Sequence, residues 1–205
     1  MAASPFLAAI AVAVRLTSPG PSLHRALRVS AGTTFVLLKF RTMRAGSDRD
    51  GPGVTSAGDV RVTRLGRILR DAKLDELPQL WNVVRGEMLI VGPRPEDPRY
   101  VDWDDPLHRF VFSWRPGIVG PAALAYRHEE TILAAAARDV AHADRRTSPT
   151  PADVDRAYRE RLLPAKLAID AHYIRTHTFR GDLAILGRTI RALVRRHQVK
   201  ESDLE

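Results

Sequence analysis

The sequence predicts an α+β protein, a mainly helical single domain with a few short strands. Three observations predict it. Apolar residues recur at helical spacing over several long stretches, most clearly 153–176 and 181–198. Only two runs, 33–40 and 88–91, read as strands. No internal repeat and no second stretch with its own core divides the 205 residues.

The elements follow in chain order. Residues 4–16, SPFLAAIAVAVRL, are apolar but for Arg15. As a helix, residues 5–16 cover about 18 Å, against roughly 30 Å of bilayer hydrocarbon, so they cannot cross. Their length suits a re-entrant or interfacial segment and a buried helix equally. A signal peptide fits poorly, because no Lys or Arg precedes the run and no small-residue cleavage site precedes the turn at 17–21. Arg15, Arg25 and Arg28 would hold that end at anionic headgroups on a cytoplasmic face. Residues 1–21 are therefore read as a hydrophobic membrane-associated segment, and 22–205 as the main domain.

TTFVLLKF at 33–40 is β-branched and apolar and reads as a strand. Residues 45–59 form a Gly-, Asp- and Ser-rich loop, long enough to be functional or mobile. A short helix is expected at 64–69. Leu74, Leu77, Leu80, Trp81 and Val84 predict a second one ending at Arg85-Gly86. Residues 88–91 read as a buried strand stopped by Gly92-Pro93-Arg94-Pro95, and Arg115-Pro116-Gly117 marks a turn. Ala-rich 129–143 is helical, 144–152 is a polar break, and two amphipathic helices close the chain. In the last, Leu183, Leu186, Ile190, Leu193 and Val194 form a stripe among Arg180, Arg188, Arg191, Arg195 and Arg196. That pattern suits a membrane surface, and a helix with a solvated face gives it too.

Composition excludes several classes. No run approaches the roughly 20 apolar residues of an ordinary transmembrane helix. With no cysteine there are no disulfides, thiolate metal sites, iron–sulfur clusters or thiol nucleophiles. The net charge is +8, and 28 of the 32 basic residues are Arg. Such a cation suggests a nucleic acid, a phosphorylated substrate or an acidic membrane as partner. An Arg-rich codon bias yields the same ratio.

Residues 61–96, RVTRLGRILRDAKLDELPQLWNVVRGEMLIVGPRPE, carry the candidate chemistry. Pro78 is tolerated only in a helix's first turn, so a helix is expected to start at or just after Asp75. Asp75 and Glu76 then lie at its N-terminus, where the dipole favours carboxylates and phosphate. An N-cap Asp and a first-turn Glu are also ordinary structural features. Arg64, Arg67 and Arg70 lie upstream, and Arg94 sits between two prolines that restrict its backbone. Two acids among several Arg suggest a divalent cation on oxygen ligands beside a phosphate. A carboxylate can attack phosphorus to form an acyl phosphate, provided cations screen its charge.

These residues resemble a known family, the bacterial sugar transferases, which are monotopic phosphoglycosyl transferases. The matching pieces are Ser4-Pro5, Ser18-Pro19-Gly20-Pro21, Lys39-Phe40-Arg41-Thr42-Met43 and Gly58-Asp59-Val60-Arg61-Val62-Thr63. They continue through LDELPQLWNV from Leu74, Arg85-Gly86-Glu87-Met88, Val91-Gly92-Pro93-Arg94-Pro95-Glu96 and Arg115-Pro116-Gly117-Ile118. A looser similarity extends to Lys166, Asp170, Tyr173 and Asp182.

The resemblance implies a catalytic domain with amphipathic membrane-surface helices and a re-entrant N-terminal helix, here truncated. It implies transfer of a sugar 1-phosphate from a nucleotide diphosphate sugar, usually a UDP-sugar, to polyprenyl phosphate. The nucleoside monophosphate is released, and glycan assembly such as that of an exopolysaccharide begins. Asp75 would be the nucleophile and Glu76 the Mg²⁺ ligand. Arg70 and Arg94 would bind phosphate, with Lys39 and Gln79 also in the site. The helix face beside the dyad would lie near membrane lipid, on the cytoplasmic face of the cell membrane.

The chain departs from the family in three places. Only Met1-Ala2-Ala3 precede the Ser-Pro break, Val119-Gly120-Pro121-Ala122-Ala123 replaces the usual Thr-Gly-Leu-Ala-Gln, and Lys73 replaces a Ser. An inactive scaffold is one alternative. A nucleic-acid-binding module is another, which a 6% aromatic content and the lack of a recognition motif argue against.

Overall fold

A computed structural model of the protein describes residues 4–47 and 53–202, the side chains of 4 and 194–202 excepted. Part of the loop expected at 45–59 thus lies outside the described residues. More than half of the chain is helical, and the described residues hold four short strands in two separate pairs.

Ala31 and Gly32 both take positive φ, 47° and 76°. This two-residue turn has the twist that antiparallel strands need. It joins β1 (Leu23–Ser30) to β2 (Thr33–Phe40), in register from Leu23 opposite Phe40 to Ser30 opposite Thr33. Strand β2 is where the sequence predicts it. Its partner β1, LHRALRVS, went unforeseen because it buries only Ala26, Val29 and Ser30 and carries Arg on its open face.

The free edge of β2 is covered by one side chain of α3 (Gln79–Val84). Asn82 accepts from the Leu38 N–H at 3.0 Å and donates to the Val36 carbonyl at 2.8 Å. Sheet edges left unpaired template aggregation, and a buried amide that pairs both groups closes this one. Helix α3 consequently turns its polar residues inward. Gln79 and Asn82 are buried, whereas Leu80, Trp81 and Val84 are 49%, 57% and 75% exposed. The apolar spacing found the helix, but its usual meaning, an apolar face toward the core, is reversed.

The second pair is parallel. β3 (Leu89–Val91) lies beside β4 (Gly117–Val119), connected through α4 (Pro106–Phe112). Gly117 is required there, since a Cβ would run into the backbone of Val91 and Gly92. This pairing anchors the start of the Gly92–Pro95 loop.

Most of the core is helical. It is built by α4, α6 (Glu129–Ala143), α7 (Pro151–Ala157) and α8 (Leu163–Thr176), around Val111, Leu133, Ala137, Tyr158 and Leu167. Between α7 and α8 the helix continues as a π-helical turn, Tyr158–Leu162. Short α5 (Pro121–Ala125) packs on α8, and α9 (Phe179–Ser202) follows. The stripe expected on α9 is split: Leu186 packs on the core beside Ile185, while Leu183 and Ile190 face outward.

The N-terminal run is a helix, α1 (Ser4–Thr17). Ile10 and Val14 are buried against Phe40 of β2 and Leu69 of α2 (Arg64–Asp71), with Leu7 and Ala11 beside them. Leu7, Ile10 and Val14 therefore serve protein packing rather than lipid, and only Phe6, Val12 and Leu16 point away as large apolar groups. Among the described residues no helix is long and apolar enough to cross a membrane.

Candidate active site

Helix α2 is fixed against the end of β2. The Thr63 side chain caps it by accepting from the Gly66 N–H at 2.9 Å, and the Thr63 N–H donates to the Thr42 carbonyl at 2.9 Å. Gly66 passes so close to that carbonyl that a Cβ could not fit. The crossing orients Arg70. Its Nε donates to Thr42 Oγ1 at 2.9 Å, and its Nη1 to Glu130 Oε1 at 2.9 Å. Arg64 and Arg67 are exposed.

After α2 the chain reverses at Lys73, in the left-handed region with φ 57°. Leu74–Glu76 then forms one 3₁₀ turn, with Leu77 N–H donating to the Leu74 carbonyl. This corrects the expected geometry. The α-helix does not run from Asp75, and α3 starts only at Gln79. Asp75 is not an N-cap. It is a buried residue inside the turn, 7% exposed, and its Oδ1 is buried with no hydrogen-bond partner among the described residues.

The two carboxylates stand in different fields. Burial raises the Asp75 pKa, Glu76 raises it further, and Lys73, Lys39 and Arg70 oppose the rise. Burial also opposes the Glu76 charge, but Arg94, Lys73 and Lys39 outweigh it and hold that carboxyl below its usual value. Arg94 Nη2 lies 3.4 Å from Glu76 Oε1, and Lys73 Nζ 3.7 Å. Glu76 in turn keeps the Arg94 guanidinium charged. Lys39 is pushed down to about 8 by burial and by Arg28, Arg70 and Arg94, with Asp75 opposing.

The structure thus brings Asp75, Glu76, Lys39, Arg70 and Arg94 into one electrostatic neighbourhood. Gln79 is buried four residues beyond Asp75 and makes no side-chain hydrogen bond among the described residues. Lys39 and Arg70 also line a cleft of about 930 Å³, walled by Arg28, Arg41 and Arg61 and, among the described residues, by one acid, Asp97. Asp97 is already paired to Arg28 at 3.0 Å and to Arg99 at 3.1 Å. A cleft so lined suits an anion with several charges.

Among the described residues no group of three or more His, Asp and Glu gathers as a metal centre. The oxygen donors in place are Asp75 and Glu76. A Mg²⁺ ion takes one or two carboxylates and completes its shell with water and substrate phosphate. The unpartnered Asp75 Oδ1 beside Glu76 fits that demand.

The family profile described as bacterial sugar transferase matches residues 1–196. The chain belongs to this family. It is 37% identical over 197 residues to the UDP-glucose:undecaprenyl-phosphate glucose-1-phosphate transferase of Caulobacter vibrioides, covering 93% of this chain and 63% of that protein. It is 41% identical over 127 residues to the UDP-N-acetylgalactosamine-undecaprenyl-phosphate N-acetylgalactosaminephosphotransferase of Aeromonas hydrophila, covering 60% of this chain and 30% of the relative. With the exopolysaccharide production protein ExoY of Sinorhizobium fredii it shares 31% identity, over 94% of this chain and 79% of the relative. The chain therefore spans less than two thirds of the first two relatives' length.

Three residues of this sugar transferase chain join the site without having been singled out for it. Thr42, which receives Arg70, lies inside the Lys39–Met43 motif, so its signal was present. Lys73, a departure from the family pattern, sits beside Glu76. Glu130 comes from 60 residues beyond Arg70, and nothing local to either residue announces the pair.

Proposed function

We propose that the chain is a phosphoglycosyl transferase that moves a sugar 1-phosphate from a UDP-sugar to polyprenyl phosphate through an aspartyl phosphosugar. The observation that carries the reading is the buried Asp75 carboxylate, with an unpartnered oxygen, set beside Glu76, Lys39, Arg70 and Arg94. Family membership and the relatives' named activities support the substrate classes.

Asp75 attacks the phosphorus bonded to the sugar. The bond from that phosphorus to the bridging oxygen breaks, and UMP leaves with the oxygen. A phosphate oxygen of the lipid then attacks the same phosphorus, the Asp75–phosphorus bond breaks, and the carboxylate is regenerated. Lys39, Arg70 and Arg94 screen the approach of an anionic nucleophile to an anionic phosphate. Burial keeps the Asp75 carboxylate poorly solvated and so more reactive. Glu76, held ionised, would be the ligand for Mg²⁺, which when bound withdraws charge from phosphate oxygens. The basic cleft would take the nucleoside diphosphate.

The membrane reading belongs to the same proposal. Phe6, Val12 and Leu16 on α1, Ile68 on α2, and Leu80, Trp81 and Val84 on α3 are exposed large apolar groups on elements that adjoin the dyad. We infer that these faces meet lipid at the cytoplasmic face of the cell membrane, where a polyprenyl phosphate presents its headgroup. The test is to incubate the protein with Mg²⁺, a panel of UDP-sugars and polyprenyl phosphate, and to measure UMP. Release that depends on one sugar and on the lipid supports the reading. No release with any donor, from protein that retains its folded spectrum, overturns it.

A further inference from the structure

Helix α6 opens with two adjacent acids that meet different partners. Glu129 Oε1 accepts from Lys166 Nζ at 2.8 Å, and that buried ammonium also donates to the Tyr158 hydroxyl at 3.1 Å. The start of α6 is thereby tied to α8 and to the π-helical turn before it. Glu130, the next residue, reaches instead to α2, where its Oε1 accepts from Arg70 Nη1 at 2.9 Å. Its backbone carbonyl accepts from the Ala57 N–H, also at 2.9 Å. Ala57 belongs to the loop whose Gly53 and Thr55 line the basic cleft, as Arg70 does. One residue of α6 thus holds two parts of the cleft wall.

Thr42 and Glu130 together fix the Arg70 guanidinium. Nε donates to Thr42 Oγ1 at 2.9 Å, on a buried residue, and Nη1 donates to Glu130. The group is planar, so hydrogen bonds on two of its nitrogens set the direction of the third. That third nitrogen, Nη2, makes no hydrogen bond among the described residues. An arginine held in this way loses less side-chain freedom when it closes on a phosphate than a free one does.

Charge alone argues against an acid at this place. Glu130 is half-exposed and negative, and it stands at a cleft suited to anions, so its field repels the ligand. An ion pair so exposed also adds little to stability. What remains for it to supply is direction.

We propose that Glu130 is a positioning residue for the donor substrate, acting through Arg70. With Thr42 it presets the guanidinium, and Nη2 is the nitrogen that meets a phosphate oxygen of the nucleoside diphosphate. The inference rests on the phosphate-binding reading of Arg70 given above.

Calorimetric titration of the detergent-solubilised full chain with UDP, in the presence of Mg²⁺, separates direction from charge, because the two act with opposite sign. Glu130→Ala removes both the acceptor and the charge and is expected to weaken UDP binding about fivefold. Glu130→Gln removes the charge but keeps an oxygen for Nη1, and should bind UDP at least as tightly as the unaltered chain. Both variants keep the backbone bond to Ala57, so the loop is held alike in each. Arg70→Ala should weaken binding about tenfold or more, and in that background Glu130→Ala should cost nothing further. Unchanged or tighter binding by Glu130→Ala overturns the positioning role. So does a Glu130→Gln variant as weak as the alanine one, or a loss that multiplies in the double variant. If Arg70→Ala binds UDP as the unaltered protein does, or neither binds it, the phosphate-binding reading itself falls.

Discussion

Arg94 Nη2 lies 3.4 Å from Glu76 Oε1 and joins the Pro-Arg-Pro loop to the 3₁₀ turn that carries Asp75. Through that contact two adjacent carboxylates are driven apart. Glu76 is held ionised, while Asp75, buried and beside a charged neighbour, is raised. Acids whose environments separate them in this way divide their roles. One is suited to standing beside phosphate and a cation as a fixed charge, the other to attacking.

Asp75→Asn should lose at least about a thousandfold in kcat, because an amide cannot form the acyl phosphate. It should fold normally, since the substitution removes a charge that burial disfavours. UMP release and the intact mass of protein quenched during turnover check this. Turnover like the unaltered protein's, on the sugar that the chain uses, ends the covalent reading.

Glu76→Gln should keep the nucleophile and lose most activity, with partial recovery as Mg²⁺ is raised. The amide binds the ion weakly and no longer pairs with Arg94 as a charge. A Mg²⁺ titration of kcat/KM reads the effect. Identical Mg²⁺ dependence in the two proteins removes Glu76 from the metal site.

Arg94→Lys should lower kcat/KM at least about tenfold, or about 1.4 kcal/mol of transition-state stabilisation. An ammonium lacks the planar fork that holds two phosphate oxygens. Steady-state kinetics at saturating lipid measure it, and an unchanged kcat/KM demotes Arg94 to a structural partner of Glu76.

The pH profile of kcat/KM should be bell-shaped. Asp75 acts ionised and its pKa is raised, so activity falls on the acid side above the ordinary Asp range. Lys39 is needed as a cation and is lowered to about 8, so activity falls as pH rises through about 8. Lys39→Arg should carry the alkaline limb beyond pH 10, because guanidinium keeps its proton there. A limb that stays near 8 in that variant belongs to another group.

The exposed apolar faces of α1 and α3 should hold the chain on membranes against salt. Fractionation at rising salt is expected to leave it in the pellet until detergent is added, and Trp81→Glu should shift it toward the supernatant. Release by salt alone means electrostatic attachment. A protein wholly in the supernatant at low salt refutes the membrane claim.

By itself the sequence determined the α+β, mainly helical class, strand β2, the limits of α6, and the motif residues from Lys39 to Pro95. Each of these is local: a period, a turn dipeptide or an ordered string is complete within a few residues. What only the tertiary structure decided depends on which groups meet. Strand β1 has no strong apolar run and forms because β2 pairs with it. The expected helix start at Asp75 is a buried 3₁₀ turn, entered through the left-handed Lys73. The polar face of α3 points inward because Asn82 closes the edge of β2, so the apolar period that found the helix gave the wrong side as core. Glu130 reaches Arg70 across 60 residues. Hydrophobic period is written along the chain, but the field at a carboxylate is a sum over charges that only folding brings within a few ångströms.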